Sequence, residues 1–415
     1  EYYRLAADHF AEHGIKTGRV GLDLAAMMAR KDKVVAQLTD NVRQLLTGHG
    51  IDIIQARAEL AGPNALTLTP TAGKSKTQRS LTAGHILLAT GSTPVAVPGL
   101  DFDEKMIVSS TGALNFDAVP KHLGIVGGGY IGLELGSVWM RLGAKVTVIE
   151  MLPKIAAGLD GQVGRTLDRI LRKQGMDIRV KTKVTGAKRS GKKLKVSVEQ
   201  ADSKEALLFD RLLVSVGRRP LTEGLGLEAV GVDVDERSGQ VKVDTDYRTS
   251  VSNIFAIGDL VAGPVLAHKA SAEGIAAVET MAGKLSEVNY DAVPAIVYTH
   301  PEVASVGKTE EQLKEAGRAY KVGKFNFMGN GRAKAMMQSD GFVKILADKE
   351  TDRILGAHIM APGAVELINA VSIAMLSEAT VGELMRLVPA HPAIGEALVD
   401  AAMDVERRSL HLPEW

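Results

Sequence analysis

HLGIVGGGYIGLELGSVWMRLGAKVTVIE, residues 122–150, decides the fold. The apolar run LGIV meets a glycine-rich turn, then a helical pattern carrying Leu133, Leu135, Val138 and Leu142, then a second apolar strand, KVTVIE. That order of elements is a βαβ unit. Gly127, Gly129 and Gly132 form GxGxxG at the strand-to-helix junction. In such a turn the first glycine permits the sharp bend, the second lets a pyrophosphate approach the backbone, and the third lets helix pack on strand. A phosphate there would sit on the helix N-terminus. Taken alone, the glycines fit a purely structural turn equally well. Glu150 adds the second signal, because it ends the next strand where an acid accepts hydrogen bonds from the adenosine ribose hydroxyls. An acid at that place repels a 2′-phosphate, and no arginine follows in MLPKI, so NAD rather than NADP is predicted.

Outward from this unit the pattern stays α/β. Upstream, Val34, Val35, Leu38, Val42, Leu45 and Leu46 recur at helical spacing, predicting one long helix over 21–46. IDIIQARAEL, ALTLTP and HILLATGSTP, beginning at Ile51, Ala65 and His85, predict strands separated by turn residues. Downstream, a helix is predicted over 163–175, with strands up to LLVSVGRRP and a buried strand in NIFAIGDL. From Asp291 the texture becomes α+β, with strands in AIVYTHPEVASVG, FVKILAD and ILGAHIMA and two amphipathic helices between Ala364 and Arg386.

A chain of 415 residues, 45% of them hydrophobic, is long enough for two to four domains. Fifty basic against forty-nine acidic side chains leave a charge of +1, which points away from nucleic-acid and membrane surfaces. Cysteine is absent, so these residues hold no disulfide, thiolate metal site or thiol nucleophile, and no metal is expected. No run approaches the roughly 20 apolar residues of a membrane span. The first residues lack a signal-peptide pattern. An intracellular compartment is expected. Position 1 is not a methionine, so the gene product is expected to begin earlier.

Three further places carry chemistry. Asp259 ends the strand NIFAIGD, where open α/β sheets hold ligands; it could equally cap the next helix. Thr90 and Gly91 follow the apolar strand in LLATGSTP and as an isolated turn mean little. His391 and Glu396 in HPAIGE are close enough for a carboxylate to orient an imidazole general base, and spacing alone leaves a structural histidine open.

Together LLATGSTP, IVGGGYIGLELG, SVGRRP, NIFAIGDLVAGPVLAHKA, YTHPEVASVGKTEEQL, GRAKA, TDRILGAHI and AHPAIGE resemble, in this order, the pyridine nucleotide-disulfide oxidoreductase family, in its dihydrolipoamide dehydrogenase branch. The resemblance spans essentially the whole chain. It implies Rossmann-like FAD- and NAD-binding domains followed by an α+β dimerisation domain. It places FAD contacts at Thr90, Gly91, Ser92, Asp259, Val265, Leu266, Ala267 and His268, with Ala58 on an FAD loop. NAD contacts are implied for Gly127, Gly128, Gly129, Tyr130, Ile131, Gly132, Leu133, Glu134, Glu150, Val184 and Gly217. Glu134 would lie near the nicotinamide, and Tyr130 stands where some relatives have an aromatic gate. His391, paired with Glu396, matches the family's acid/base, working on the flavin and dithiol of the other subunit of a homodimer. Pro389 stands where many members carry a second histidine.

The implied domains are 1–118 (FAD-binding, incomplete at its N-terminus), 119–246 (NAD-binding), 247–290 (return of the FAD domain) and 291–415 (interface). Family members begin with a first GxGxxG and a CxxxxC helix, and this sequence is expected to start just after them. The implied reaction moves electrons from dihydrolipoamide, carried on a lipoyl domain of a 2-oxo acid dehydrogenase acyltransferase core, through a disulfide and FAD to NAD⁺. Without cysteine the chain is expected to be inactive on lipoamide by itself. The alternatives are a cysteine-free flavin/NAD transhydrogenase-like relative and a nonenzymatic NAD-binding dimerisation module. Mercuric reductase is disfavoured by the lack of C-terminal cysteines, and glutathione reductase by Glu150. The implied compartment is a bacterial cytoplasm or the mitochondrial matrix.

Overall fold

The computed structural model describes residues 1–72, 77–201 and 203–412. Two compact units share the chain, Glu1–Leu22 with Ala96–Gly217 and Asn289–Trp415 in one, Asp23–Val95 with Arg218–Val288 in the other. The last three residues of the expected interface segment lie outside the described residues.

In the first unit five parallel strands run in the order Ile107–Val108, Arg211–Val214, His122–Val126, Lys145–Ile149 and Asp177–Arg179. Their apolar runs are buried on both faces, as parallel strands require. The helices Tyr130–Arg141 and Gly161–Lys173 follow the two central strands. Gly161–Lys173 begins at Asp160, whose side chain accepts from the Gln162 N–H, so its start precedes the Val163 expected from periodicity. A three-stranded antiparallel sheet, Lys183–Ser190, Lys193–Gln200 and Ser203–Phe209, buries Leu194, Val196 and Val198 beside Val126, Ile149 and Val214.

The C-terminal part of this unit is an antiparallel sheet in the order Ala295–Val297, Glu302–Gly307, Ile354–Ala361, Phe342–Asp348 and Tyr320–Asn326. AIVYTHPEVASVG contributes two of these strands, paired antiparallel with each other. The expected helices are Ala364–Leu376 and Val381–Arg386, and a further helix, Glu396–Val405, lies on the strand Tyr320–Asn326. Contact there is close enough that a Cβ on Gly323 would come within 2.1 Å of the Ala401 carbonyl oxygen. Ile368, Val371, Ile345, Ile359 and Leu398 share this core.

The second unit holds the long helix at Leu24–Gly48, capped by the Asp23 carboxylate on the Ala26 N–H. None of its residues is buried, and Val35, Leu38, Val42 and Leu45 are more than half exposed. Three antiparallel strands follow, Ala56–Gly62, Ala65–Pro70 and Arg79–Thr82. Ile51, Ile53 and Ile54, expected to open the first strand, lie outside it and are exposed, because the register ends with Ala56 opposite Pro70. Ala58 is within that strand, not on a loop. Ile86–Leu88 pairs in parallel with Ile254–Ala256, and Ser92–Pro94 pairs antiparallel with Arg218–Pro220. Through that second pairing Arg218–Pro220 lies in the same compact unit as Ser92–Pro94. Leu227, Val232 and Val241 then share a core with Ile86 and Ile254.

Candidate functional site

The strand His122–Val126 ends at Gly127, whose φ of +104° suits glycine alone. A Cβ there would meet the Ser215 carbonyl oxygen at 2.5 Å, and one on Gly132 would meet the Gly127 carbonyl oxygen at 2.4 Å. Gly129 differs, since a Cβ would meet nothing within 4 Å and its φ is −79°. Its turn therefore has open space, and no side chain caps the helix Tyr130–Arg141 that starts there. Glu150 reaches back over the turn, accepting from the Gly128 N–H at 2.6 Å and the Leu152 N–H at 2.7 Å on separate oxygens. Each oxygen keeps lone-pair capacity for a further donor. An open approach, a helix N-terminus and a fixed carboxylate fit a dinucleotide's pyrophosphate and ribose.

Gly129→Ala is accordingly expected to leave the unfolding midpoint unchanged while weakening NADH binding at least about tenfold, because the methyl group occupies the phosphate approach. Calorimetric titration beside thermal unfolding checks this, and unchanged affinity would refute the assigned approach. Gly127→Ala should instead lose stability, by about 1–3 kcal/mol for the strained backbone alone.

Around the turn, Tyr130 is half-buried, and burial raises its phenol above the ordinary range. Ile131 is half-buried, on the first turn of the helix. The Leu133 side chain is fully buried, and its N–H donates to the Gly129 carbonyl. Burial also raises the Glu134 carboxyl, whose Oε1 accepts from the Tyr298 N–H at 2.9 Å. Val184 is half-buried beside a register shift in its hairpin. Gly217 is exposed with φ +142°.

In the second unit Ser92 and Asp259, far apart in sequence, meet through an Oγ–H donated to Oδ2 at 2.5 Å. The Arg218 guanidinium donates to both the hydroxyl and the carbonyl of Ser92, at 2.7 Å each. Thr90 donates its hydroxyl to the Leu221 carbonyl at 2.8 Å, and the Gly91 carbonyl accepts from the Leu221 N–H. The turn before Asp259 is held on both sides. Glu273 accepts from the Gly258 N–H at 2.7 Å and Lys269 donates to the Gly258 carbonyl at 3.0 Å, the two side chains being fully buried and paired. Val265, Leu266, Ala267 and His268 form the entry to the helix Ala267–Met281, with Leu266 as a cap that contributes no side-chain bond.

His391 and Glu396 meet as expected, Nδ1 to Oε1 at 2.6 Å. The second carboxylate oxygen accepts from the Ala393 N–H at 3.0 Å. Bonding to His391 and to that amide holds the Glu396 carboxyl below its ordinary range. Because Nδ1 is engaged and the imidazole is 81% exposed, Nε2 is the nitrogen free to move a proton. Among the described residues no cluster of three or more His, Asp or Glu could hold a metal, and no helix is long and apolar enough to cross a membrane.

Sequence reasoning missed Arg218, Lys269 and Glu273 as supports. Only the last two had a readable signal, a Lys–Glu pair at helical spacing of four. It also missed a buried ionic group, in which Lys344 bonds Asp160 at 2.8 Å and Glu310 at 2.5 Å with His358 alongside.

Residues 3–274 match the family described as Pyridine nucleotide-disulphide oxidoreductase, and residues 293–402 match its dimerisation domain. This turns the geometry into a class of flavin- and nicotinamide-linked oxidoreductases. The chain belongs to the pyridine nucleotide-disulphide oxidoreductase family. It is 45% identical over 412 residues to the mitochondrial dihydrolipoyl dehydrogenase of Pisum sativum, covering 99% of this chain and 81% of that protein. It is 45% identical over 416 residues to leghemoglobin reductase of Glycine max, covering 100% and 79%. Among solved structures, LpdA of Mycobacterium tuberculosis aligns with a TM-score of 0.88 at 26% identity, over 96% of this chain and 86% of that one. A Cu(II) complex of the HOCl-induced flavoprotein disulfide reductase RclA of Escherichia coli aligns at 0.83 and 30% identity, over 92% and 85%.

Proposed function

We propose that this chain supplies the dinucleotide sites and the acid/base dyad of a dihydrolipoyl dehydrogenase, which oxidises dihydrolipoamide with NAD⁺ as the final acceptor, as a homodimer serving a 2-oxo acid dehydrogenase complex; having no cysteine, these residues by themselves are inactive on dihydrolipoamide. The observation that carries this reading is the His391–Glu396 dyad, exposed and bonded through Nδ1, in a chain whose relatives include named dihydrolipoyl dehydrogenases. When bound, FAD and NAD supply the two-electron carriers between dithiol and nicotinamide. The protein's share is positioning and proton transfer. Glu150 accepts the ribose hydroxyls, the open face at Gly129 admits the pyrophosphate, and Ser92 with Asp259 presents a polar edge to the flavin nucleotide. His391 takes the substrate thiol proton at Nε2, since the thiolate is the attacking species. Glu396 fixes the tautomer and stabilises the imidazolium. Thiol–disulfide exchange further needs a cysteine pair, and none of the 415 residues is cysteine. The compartment we infer is the mitochondrial matrix, in keeping with relatives named as mitochondrial, or a bacterial cytoplasm.

Glu150→Ala is expected to weaken NADH binding by about 1–3 kcal/mol, the scale for lost charged hydrogen bonds, with a smaller loss for NADPH. Titration of both nucleotides tests it. If the unmodified protein preferred NADPH, the role of Glu150 and the NAD reading would both fall.

A further inference from the structure

Residues 151–160 run from Glu150 to the helix Gly161–Lys173 and meet the glycine turn through Ile155, Ala156 and Gly158. The Leu152 N–H donates to Glu150, and the Ala156 N–H donates to the Gly128 carbonyl at 2.8 Å. Ile155 is fully buried, and its Cγ2 would lie 3.0 Å from a Cβ on Gly128. Gly158 backs Tyr130, where a Cβ would come within 2.9 Å of the phenol oxygen. Ala156 takes a left-handed φ of +46°, a conformation that persists only when its surroundings impose it.

The far end of this segment is fixed by the antiparallel C-terminal part of the same unit. Asp160 is fully buried and accepts from Lys344 Nζ at 3.0 and 2.8 Å, from the Gln162 N–H at 3.0 Å and from the Glu310 N–H at 3.2 Å. Glu311 returns the bond, its carboxylate accepting from the Gly161 N–H at 3.1 and 3.2 Å. The helices Gly161–Lys173 and Glu310–Glu315 thus each receive the other's carboxylate at their first turn. Burial alone would raise the Asp160 carboxyl, but the Lys344 ammonium holds it below the ordinary range. Burial pulls His358 down to about 4, so beside this pair it is neutral near pH 7.

Taking a lysine and an aspartate out of water is costly, and a hydrophobic pair would serve stability as well. What the ion pair adds is a defined position for Asp160, and through it for the segment that backs Gly128 and Tyr130. We propose that Asp160 and Lys344 are positioning residues for the nicotinamide dinucleotide, so that the C-terminal sheet sets the affinity of a cradle built on the parallel one. This rests on reading the Gly127–Gly132 turn as the NAD site.

The test is NADH titration of four variants of the full chain, with thermal unfolding and amide exchange at Ala156 followed in parallel. Asp160→Asn keeps an acceptor for the Gln162 and Glu310 N–H groups but removes the charge facing Lys344. Its NADH Kd should rise about tenfold, the scale of one charge-assisted bond, with faster exchange at Ala156. Exposed Glu311→Ala is the milder variant should Asp160→Asn fail to fold, and its Kd should rise about threefold by the same reasoning. Gln174→Leu removes a bond to the His300 carbonyl at the other end of the same helix. It should lower the unfolding temperature and leave the Kd unchanged, which a merely structural role for Asp160 would not distinguish. Unchanged Kd in Asp160→Asn and Glu311→Ala, or an equal rise in Gln174→Leu, overturns the positioning role. Absence of NADH binding by the unmodified chain, or full binding by Glu150→Ala, overturns the NAD reading and this inference with it.

Discussion

Replacing His391 with alanine is expected to slow oxidation of dihydrolipoamide by NAD⁺ about 10²- to 10⁴-fold, the usual range for losing a general acid/base. The assay requires enzyme that carries flavin and a redox cysteine pair. The loss should appear in the dithiol half-reaction and spare NADH binding, because His391 bonds Glu396 and has no part in the glycine turn. Glu396→Gln should fall between the two, since an amide oxygen still accepts from Nδ1–H but cannot stabilise the imidazolium electrostatically. Measured turnover within tenfold of the unmodified enzyme for His391→Ala would remove the dyad from the mechanism.

Lys344→Met is expected to destabilise the chain by about 3–5 kcal/mol, the cost of leaving a buried charge without its partner. Asp160 is fully buried, and its other acceptor contacts are to neutral amides. Lys321 offers the comparison within the same sheet. It also bridges two carboxylates, Asp352 and Glu406, but remains 26% exposed, so Lys321→Met should cost less than about 1 kcal/mol. Urea unfolding of both variants decides the matter, and equal losses would mean that burial of the Asp160–Lys344 pair confers no special dependence.

These two groups mark the limits of what sequence can show. The glycine turn was legible because strand, turn, helix and acid are contiguous, each constraining the next over residues 122–150. His391 and Glu396 were legible for the same reason, lying within one short loop. Ser92 and Asp259 could be named from resemblance, but their contact depends on Ile86–Leu88 pairing with Ile254–Ala256, which no local pattern encodes. Lys344 was hidden by its neighbours. In FVKILAD all seven residues are buried, so strand alternation predicts nothing about the lysine until its distant partner is in place. Ile51, Ile53 and Ile54 misled in the opposite direction, since β-branched residues favour strands only where another strand covers them. The pairing of Arg218–Pro220 with Ser92–Pro94 is likewise a long-range choice that no local pattern encodes.

That same parallel pairing has a consequence for synthesis. Ile86–Leu88 waits for Ile254–Ala256, which leaves the ribosome about 170 residues later, roughly 10 to 30 s at ordinary elongation rates. The neighbouring antiparallel strands from Ala56 to Thr82 have local partners and can close within microseconds. For the whole interval the nascent chain therefore carries a folded hairpin beside an unpaired apolar strand. Yield in the cell should then follow translation speed and chaperone supply more closely than it follows the stability of the finished protein.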